Sequence, residues 1–396
     1  MRTYKYRIYP TNSQIKSLEK TFDLCRFLYN CALEERISHY KRNKKSLSCF
    51  DQQKHLPKVK EELPEFKNVH SQVLYSTLQK LDRSYKAFFR RFKNGEKAGF
   101  PRFKGKNRFN SILYPQSGFS LENIKGKKGS KKATLKLSKI GNIKIVLHRN
   151  IKGTIKNCII TKSPANKWYI CLVCDNIPKE PINKTNQEVG IDLGIKNLLA
   201  LSNNEIINNP KHFNKSKDKL AKKQRKLSKL DWKTNDQRIK RNKAKLSVAR
   251  QHEKIKNQRM DFYHKLSKNL VKRFDKIYVE KLNIKDMKSF RVLNREIQNV
   301  AWDKFVLMLL YKAESADKEV IQVDPRNTSS MCSGCGDIIK KDLSIRIHEC
   351  MKCELKIDRD INAAINIFNR GKSLQNDLVR ESRDILSELP KALELI

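Results

Sequence analysis

Two cysteine pairs constrain the last third of this 396-residue chain more strongly than any other feature. Each pair has the spacing C-x-x-C, and fourteen residues lie between the pairs. Gly334 and Gly336 allow the tight turn that points backbone amides at sulfur. Four thiolates at this spacing predict a closed tetrahedral site for one structural Zn²⁺, with His348 as an alternative ligand that the spacing disfavours. The predicted ligands are Cys332, Cys335, Cys350 and Cys353.

The charge balance predicts the kind of partner. The chain has 86 Lys and Arg against 41 Asp and Glu, a formal net charge of +45. Such a surplus repels itself unless it meets a polyanion, and nucleic acid is the commonest one. A membrane surface is the rival polyanion, but no run approaches the roughly 18 apolar residues of a spanning helix, and the opening MRTYKYRIYP lacks a signal-type apolar region. We therefore expect an intracellular protein with reduced cysteines.

The N-terminal hundred residues have a mainly helical pattern. A short strand over residues 4–9 ends at Pro10, and Thr11 with Gln14 predicts a capping box for a helix through about Ser38. Apolar residues at helical spacing predict a second helix over 69–92. These elements form the first part of the predicted fold.

The pattern changes at Gly95. Short β-branched runs punctuated by Gly and Pro predict an all-β region in the form of a small barrel. Its strands are predicted over 134–137, 143–147, 155–161 and 168–173. Cys171 and Cys174 also have C-x-x-C spacing, but a strand turns them to opposite faces, so they are interpreted as core residues. The polar segment 178–187, with two prolines, predicts a domain boundary.

A strongly basic segment follows. Residues 211–273 hold 23 Lys or Arg and five Asp or Glu. Their apolar positions form only a thin stripe, which predicts one or two long helices with a wide basic face. A helix that is merely solvated usually carries charges of both signs, whereas this segment is mostly basic. We therefore prefer the interpretation that it lies along the phosphates of a nucleic acid. Further elements are predicted as strands over 276–282 and 320–323 and a helix over 294–314.

Three carboxylates stand at positions where an acid is unusual. Asp192 ends the apolar strand VGID, Glu280 ends the apolar strand IYVE, and Asp360 stands in the first turn of an amphipathic helix. Each has an ordinary explanation, such as a helix cap worth about 1 kcal/mol. A carboxylate at the end of a buried strand is nevertheless costly without a cation or partner. Three acids converging on Mg²⁺ would permit two-metal hydrolysis of a phosphodiester.

Read together, these motifs resemble the TnpB (OrfB) family of bacterial and archaeal insertion sequences, relatives of the type V CRISPR effectors. The resemblance covers about residues 1–370. Small departures at Asn204, Asn327 and Ser330 touch none of the three carboxylates. The matching segments are KYRIYPTNSQ, GFPRFK, VGIDLGIKNLLALS, YVEKLNIKDM, TSSMCSGCG, CMKC and DRDINAAINI.

The resemblance implies an α+β multidomain fold. A wedge-like β-barrel would carry an inserted helical recognition lobe, and a RuvC-type, ribonuclease H-like α/β nuclease domain would carry a Cys₄ zinc ribbon. The basic segment 211–273 would belong to the nuclease domain and follow the guide–target duplex. The implied ranges are 1–10 and 96–185 for the wedge, 11–95 for the lobe, 186–329 and 358–370 for the nuclease, 330–357 for the zinc insertion and 371–396 for a C-terminal tail.

The same resemblance implies an RNA-guided DNA endonuclease that cuts beside a short transposon-adjacent motif. Its catalytic residues would be Asp192, Glu280 and Asp360, holding two Mg²⁺, with Asp358 as the alternative to Asp360. The partners would be a guide RNA from the transposon end and double-stranded target DNA, with neither a membrane nor a small-molecule substrate. The protein would be cytoplasmic and work at the nucleoid.

Residues Arg102, Phe103 and Lys104 interleave basic and aromatic groups, which favours contact with nucleic acid. A surface loop anchored by Phe103 explains them equally well.

Three other functions are weighed against the guided nuclease. A guided DNA-binding repressor would typically have lost one of the acids. A cut-and-paste transposase would be expected to have the acid order Asp, Asp, Glu with its Glu on a helix. A zinc-ribbon transcription factor would leave Asp192 and Glu280 without a purpose. The sequence favours the nuclease over all three.

Overall fold

In a computed structural model, the chain divides into two compact units, Met1–Pro178 and Lys179–Ile396. The side chains of the last helix are described through residue 376. Within the described ranges, every helix is too short or too polar to span a bilayer. The structure describes residues 1–106, 108–123, 132–231, 233–281, 300–340, 342 and 345–393.

The first unit is built on a seven-stranded antiparallel sheet of order β2-β6-β7-β1-β5-β4-β3. Its first strand lies in the middle, paired with β5 and β7. In the described ranges β2 and β3 are edges, so the sheet is a curled half-barrel where the sequence predicts a barrel. The strands are β1 (Arg2–Tyr9), β2 (Ser111–Pro115), β3 (Phe119–Asn123), β4 (Lys132–Leu137), β5 (Gly141–Val146), β6 (Thr154–Lys162) and β7 (Trp168–Asp175).

Three helices pack on this sheet: α1 (Asn12–Asn43), α2 (Cys49–Glu62) and α3 (Ser71–Lys93). The capping box at Thr11 and Gln14 is present in both directions, which confirms the predicted start of α1. Helix α2 was not predicted, although Ser48 and Asp51 form a second capping box at its start. Helices and sheet share one continuous hydrophobic core, so the predicted barrel and helical lobe belong to one unit.

The alternation of strand β1 explains how the core of the first unit is assembled. Tyr4, Tyr6 and Ile8 are buried, while the residues between them are turned away from this core. In β7 the side chain of Cys174 is buried and that of Cys171 is only partly buried. They alternate as the strand period predicts.

The second unit has a five-stranded mixed sheet of order β10-β9-β8-β11-β12. Strands β8, β11 and β12 are parallel, whereas β9 is antiparallel to both of its neighbours. The carboxyl ends of β8 and β11 therefore meet at the same edge of the sheet. The strands are β8 (Glu188–Leu193), β9 (Asn197–Leu201), β10 (Ile206–Asn208), β11 (Lys276–Glu280) and β12 (Glu319–Val323).

The described helices of this unit are α4 (Lys217–Ser228), α5 (Asn235–Arg273), α6 (Trp302–Ser315) and α7 (Arg359–Leu393). One or two long basic helices are predicted over 211–273, and the structure has two there, the short α4 and the long α5. Helix α6 begins at Trp302, directly after Ala301, whose φ of 51° interrupts helical geometry. The first part of the helix predicted over 294–314, residues 294–299, lies outside the described residues. A hairpin of β13 (Ile347–Glu349) and β14 (Lys356–Asp358) leads into α7.

Helix α7 lies directly on the sheet because two glycines leave room for it. A Cβ at Gly190 of β8 would lie 2.2 Å from the carbonyl oxygen of Ala364. A Cβ at Gly371 would lie 2.0 Å from the ring of Tyr278 on β11. Gln375 then accepts hydrogen bonds from the Tyr278 hydroxyl (2.8 Å) and from the ammonium of Lys276 (3.0 Å). The start of the expected tail, 371–375, is thus part of the packed fold.

The segment 179–187 is tied to the second unit. The amide of Glu180 donates to the carbonyl of Ser315 at 2.7 Å. The amides of Thr185 and Asn186 both donate to Oδ2 of Asp275, at 2.8 and 2.7 Å. The ammonium of Lys318 is 3.0 Å from the same carboxylate. Asp275 therefore joins the incoming chain to the end of α5 and the start of β12.

The Asp275 carboxylate supplies a pH-dependent part of the stability. Burial acts to raise the pKa of Asp275, but the bonds from Lys318, Asn186 and Thr185 outweigh it and lower the pKa to about 2. A depressed pKa adds stability above the unfolded-state value near 4, and this contribution is lost as the pH falls toward 2. We expect Asp275→Asn to lower the free energy of unfolding by about 1–2 kcal/mol at pH 7. Urea unfolding at several pH values measures the difference, which should shrink below pH 4.

The matched control is Asp317→Asn. Asp317 pairs with Lys179 at 2.7 Å, but both side chains are exposed to solvent, where such a pair contributes little. A destabilisation by Asp275→Asn that stays constant from pH 7 to pH 3, or that Asp317→Asn equals, would contradict this assignment.

Candidate active site and metal centre

Asp192 and Glu280 meet at the carboxyl edge of the second sheet. The parallel register pairs Ile191 of β8 with Val279 of β11, and each acid is the next residue on its strand. Asp192 is partly buried and Glu280 is buried. Because the strands run side by side in the same direction, their two carboxylates are neighbours. The sequence identified both strand ends, and the sheet order makes them adjacent.

Asp360 joins this pair from the first turn of α7. Its Oδ2 accepts a hydrogen bond from Nδ2 of Asn197 at 3.3 Å. Its Oδ1 is 3.7 Å from the guanidinium nitrogens of both Arg346 and Arg359. The side chain is buried, and it lies close enough to Asp192 for its charge to act on that carboxylate. The structure thus brings together all three acids that the sequence selected.

Asp358 has a different position from Asp360. Its Oδ1 accepts from the amide of Asp360 at 2.8 Å and from the amide of Ile361 at 3.3 Å. These bonds satisfy donors at the start of α7, which is what an N-cap residue does. The capping explanation considered for Asp360 therefore applies to Asp358, and Asp360 is left to face the other acids.

The three acids repel one another in a poorly solvated space. Burial, followed by the charges of Glu280 and Asp360, raises the pKa of Asp192 well above its ordinary value, against a smaller opposing effect of the Leu193 amide and Arg359. Burial also raises the pKa of Glu280, opposed by the hydroxyl of Thr328 and the charge of Arg370. Such a cluster is relieved either by protons or by a cation. Carboxylate oxygens are the ligands that Mg²⁺ prefers, so this donor set fits that ion.

A hydrogen-bond network fixes Glu280 and connects it to α7. The hydroxyl of Thr328 donates to Oε1 of Glu280. Nδ2 of Asn366 donates to the carbonyls of Thr328 (2.9 Å) and Met331 (2.7 Å). Asn362, one turn earlier, donates to the carbonyl of Met331 at 2.8 Å and accepts from the amide of Ser333 at 2.9 Å.

Sequence reasoning missed this network. The available signal was a pair of asparagines spaced i, i+4 on the otherwise apolar face of DINAAINI. Both Asn362 and Asn366 are buried, where an amide side chain is costly unless its hydrogen bonds are made. Their partners are backbone groups more than 25 residues away in the chain, so only the folded structure identifies them.

The four cysteines form a compact cluster that could hold a metal ion. The Sγ atoms of Cys332 and Cys353 are 3.6 Å apart, and those of Cys335 and Cys350 are 3.5 Å apart. All four sulfurs lie within 4.8 Å of one another. A Zn–S length of about 2.3 Å in a tetrahedron gives sulfur separations of about 3.8 Å. The donor set and its spacing therefore fit Zn²⁺, as the sequence predicted.

The backbone around the sulfurs favours thiolates. The amides of Cys353 and, with a smaller effect, Lys352 lower the pKa of Cys350 to about 7. The Leu355 amide acts in the same direction on Cys353, but burial and the neighbouring sulfurs raise the pKa of that thiol to about 12. Four thiolates cannot share this space without a cation. His348 is buried in β13, and the sulfurs complete the set without it.

The three residues proposed for nucleic-acid contact lie in the first unit. Arg102 and Phe103 are exposed, whereas Lys104 is partly buried. The amide of Lys104 donates to Oδ1 of Asn30 at 2.8 Å, and Nδ2 of Asn30 donates back to the carbonyl of Lys104 at 3.0 Å. This two-way bond holds the loop against α1. The loop is therefore anchored by its backbone and not by burial of Phe103.

Comparison with solved structures identifies the fold. The fold is similar to that in a cryo-EM structure of a Cas12f1–sgRNA–target DNA complex, with a TM-score of 0.57 at 16% identity over 90% of this chain and 82% of that one. It is also similar to the mini-RNA-guided endonuclease CRISPR-Cas_phi3, with a TM-score of 0.52 at 10% identity over 93% of this chain and 92% of that one. The chain has the multidomain fold of these compact effectors.

Sequence comparison gives the family. The chain is 32% identical to a putative RNA-guided DNA endonuclease of Streptomyces pristinaespiralis, over 97% of this chain and 93% of the relative. It is 28% identical to the putative RNA-guided DNA endonuclease InsQ of Escherichia coli K12, over 98% and 97%. The chain belongs to the TnpB (OrfB) family. Family models match residues 170–291 (OrfB_IS605, a probable transposase), 302–367 (a Cas12f1-like TNB domain) and 1–45 (a helix-turn-helix domain).

We expect Cys350→Ser to lose zinc. The change replaces one of the four sulfurs with a hydroxyl that is a poor ligand for Zn²⁺, and metal binding contributes directly to the stability of such small sites. Elemental analysis of the purified protein should show well below the one equivalent expected for the parent chain, and the unfolding temperature should fall.

The control for this variant is Cys31→Ser, which removes an exposed thiol from α1. It should keep the full zinc content. Equal zinc in the parent chain and in Cys350→Ser would refute the four-cysteine site.

Proposed function

We propose that this protein is an RNA-guided DNA endonuclease whose RuvC-like site hydrolyses phosphodiester bonds. The observation that carries the proposal is the convergence of Asp192, Glu280 and Asp360 from β8, β11 and α7, with the pKa of Asp192 raised by burial and by the other two charges. An acidic cluster at a sheet edge whose charge is only partly compensated is typical of a site for divalent cations.

The order of the sheet supports a ribonuclease H-like nuclease domain. Strands β10, β9 and β8 form an antiparallel meander, and β11 and β12 continue it in parallel with β8. The acids stand on the first strand of the meander, on the adjacent parallel strand and on the helix that covers β8. The division into wedge, recognition lobe, nuclease and zinc insertion remains a proposal that rests on the resemblance to the family.

Two Mg²⁺ held by the three carboxylates would activate water and stabilise the leaving 3′ oxygen. The residues of the chain have more specific tasks. Thr328 holds Oε1 of Glu280 in one orientation, and Asn197 does the same for Oδ2 of Asp360. Arg346 and Arg359 compensate part of the charge of Asp360 before a cation binds. Hydrogen bonds to ligand carboxylates of this kind tune both affinity and activity.

The guide and target are proposed from the relatives and from the charge of α5. The relatives named above are called RNA-guided, and one solved neighbour contains an sgRNA and target DNA. Lys243, Arg250 and Lys254 are exposed and repeat at helical spacing along one face of α5. Such a face can follow the phosphates of a guide–target duplex. In this arrangement base pairing with the guide recognises the DNA sequence, and the protein recognises the shape of the duplex and a short adjacent motif.

Two alternatives are less well supported. A nuclease-inactive guided repressor is disfavoured because all three acids are present and brought together. A cut-and-paste transposase of the Asp, Asp, Glu type would place its Glu on a helix, whereas Glu280 ends strand β11.

The decisive variant is Asp192→Asn. RNA that co-purifies with the protein is sequenced, and a DNA target with the complementary sequence is then used to measure Mg²⁺-dependent cleavage. The variant should lose cleavage while it keeps the bound RNA. Because the change removes a buried charge that two neighbours repel, the unfolding temperature without Mg²⁺ should stay equal or rise. Mg²⁺ should stabilise the parent chain more than the variant.

The matched control is Asp358→Asn, two residues from Asp360. Asn caps a helix about as well as Asp, so this variant should fold and cleave normally. Cleavage by Asp192→Asn at the parent rate, or loss of cleavage in Asp358→Asn alone, would reject the assigned acids.

The basic face of α5 is tested by Lys243→Gln/Arg250→Gln/Lys254→Gln. Each phosphate contact contributes about 0.7–0.9 to the slope of log K against log salt. The triple variant should therefore lower the slope for duplex binding by roughly two to three. Fluorescence anisotropy at several salt concentrations measures this slope.

The control removes the same charge elsewhere, by Lys41→Gln/Arg42→Gln/Lys45→Gln at the exposed end of α1 and the loop that follows it. An equal change of slope in both triple variants would mean that the basic face of α5 has no specific role in binding the duplex.

A further inference from the structure

A cluster of exposed aromatic rings lies at the end of α3 and on the loop after it, in the first unit. Phe89 is 57% exposed and Phe92 is 72% exposed, and Phe100 is also exposed. Such large rings are costly to leave in water. We call the set Tyr85, Phe88, Phe89, Phe92 and Phe100 the aromatic surface. Nothing in the cleavage site accounts for it.

The rings form one connected array. Phe88 lies 5.2 Å from Phe89, 6.4 Å from Phe92 and 5.4 Å from Phe100, between ring centroids. Tyr85 lies 5.5 Å from Phe100 and packs against the core of the first unit, where the guanidinium of Arg36 covers its ring at 5.2 Å. The array therefore extends from Tyr85, which is packed against the core, to Phe92, which is exposed to solvent. Exposed rings held in this way lose little freedom when a flat ligand stacks on them.

The charges around the rings have one sign. Residues 83–106 contain nine Lys or Arg and one acid, Glu96. Arg90, Arg91 and Lys93 are exposed and alternate with the exposed rings. A second copy of this chain would bring the same cations face to face, so self-association through this surface is opposed by repulsion. An anionic ligand with flat apolar faces satisfies both the rings and the cations.

We propose that the aromatic surface stacks unpaired bases of a single nucleic-acid strand while the neighbouring Arg and Lys side chains hold its phosphates. Duplex bases present only their edges, so stacking on exposed rings selects single strands. Arg102 and Phe103 are exposed on the anchored loop that follows, and they extend the same combination of charge and ring. The site goes beyond the cleavage reaction and does not depend on the three acids.

The test measures binding of fluorescein-labelled 15-nucleotide oligo(dT) and oligo(rU), and of a 15-base-pair DNA duplex, to the full chain. Phe89→Ala/Phe92→Ala should weaken single-strand binding by roughly tenfold or more, since each stacked ring contributes strongly. Duplex binding should change less than about twofold, because duplex binding is mainly a matter of phosphates. Comparing the two single strands shows whether RNA or DNA is preferred.

Two further variants separate stacking from charge. Phe92→Trp keeps an aromatic ring and should therefore keep the affinity for single strands. Binding of the oligonucleotide should also quench the fluorescence of the introduced tryptophan. Arg90→Gln/Arg91→Gln should lower the salt dependence of binding, whereas the double alanine variant should leave it unchanged.

The matched control is Phe50→Ala. Phe50 is 63% exposed on α2 and has the ammonium of Lys54 4.8 Å from its ring centroid, but it lies outside the aromatic surface. It should bind single strands like the parent chain. Equal single-strand affinities of Phe50→Ala and Phe89→Ala/Phe92→Ala would overturn the proposal and leave the proposed nuclease intact.

Sedimentation of the parent chain and of the double alanine variant provides a second check. A parent dimer that the double variant converts to a monomer, with unchanged single-strand binding, would assign the surface to self-association and overturn the proposal. A parent chain and variant that sediment alike, with weakened single-strand binding in the variant, would support it.

Discussion

The contact between helix α7 and strand β8 is the interaction on which the second unit depends. It exists because Gly190 has no side chain, so that the carbonyl of Ala364 can approach to a distance that any Cβ would obstruct. The contact places the first turn of α7, with Asp360, beside the ends of β8 and β11. Apolar packing of this helix on the sheet thus brings the three carboxylates together despite their mutual repulsion. Buried surface supplies the stability that the repulsion of three carboxylates removes.

The cysteine cluster acts on the same helix. Asn362 and Asn366 hold the backbone of residues 328–333, the loop that contains the first cysteine, against α7. The hydroxyl of Thr328 on this loop donates to Glu280. The proposed zinc site is therefore connected to Glu280 through these hydrogen bonds. A metal that stiffens this loop also stiffens the position of Glu280.

The first unit differs from the second in the side chains that it exposes. Its core is a curled antiparallel sheet covered by three helices, and its exposed features are rings and cations on the far end of α3. The second unit also carries excess positive charge, but there it lies along a long helix with few exposed rings. The two kinds of surface suit different forms of nucleic acid, because phosphates are available in every form and base faces only in single strands.

Features whose chemistry is local could be predicted from the amino-acid sequence alone. Cysteine spacing predicted the four sulfurs that cluster in the structure, the capping box predicted the start of α1, and apolar runs ending in Asp192 and Glu280 marked two strand ends. Helix α2 was missed because Pro57 lies inside it, and proline usually ends a helix. Strands β2 and β3 were missed because they are short and receive their stability from a shared core. The tertiary structure distinguishes Asp358 from Asp360, since Asp358 accepts hydrogen bonds from the first amides of α7 while the charge of Asp360 acts on Asp192. It alone revealed the asparagine network and the aromatic surface, because both arise from residues that are distant in the chain or meet only when α3 and its following loop are folded together.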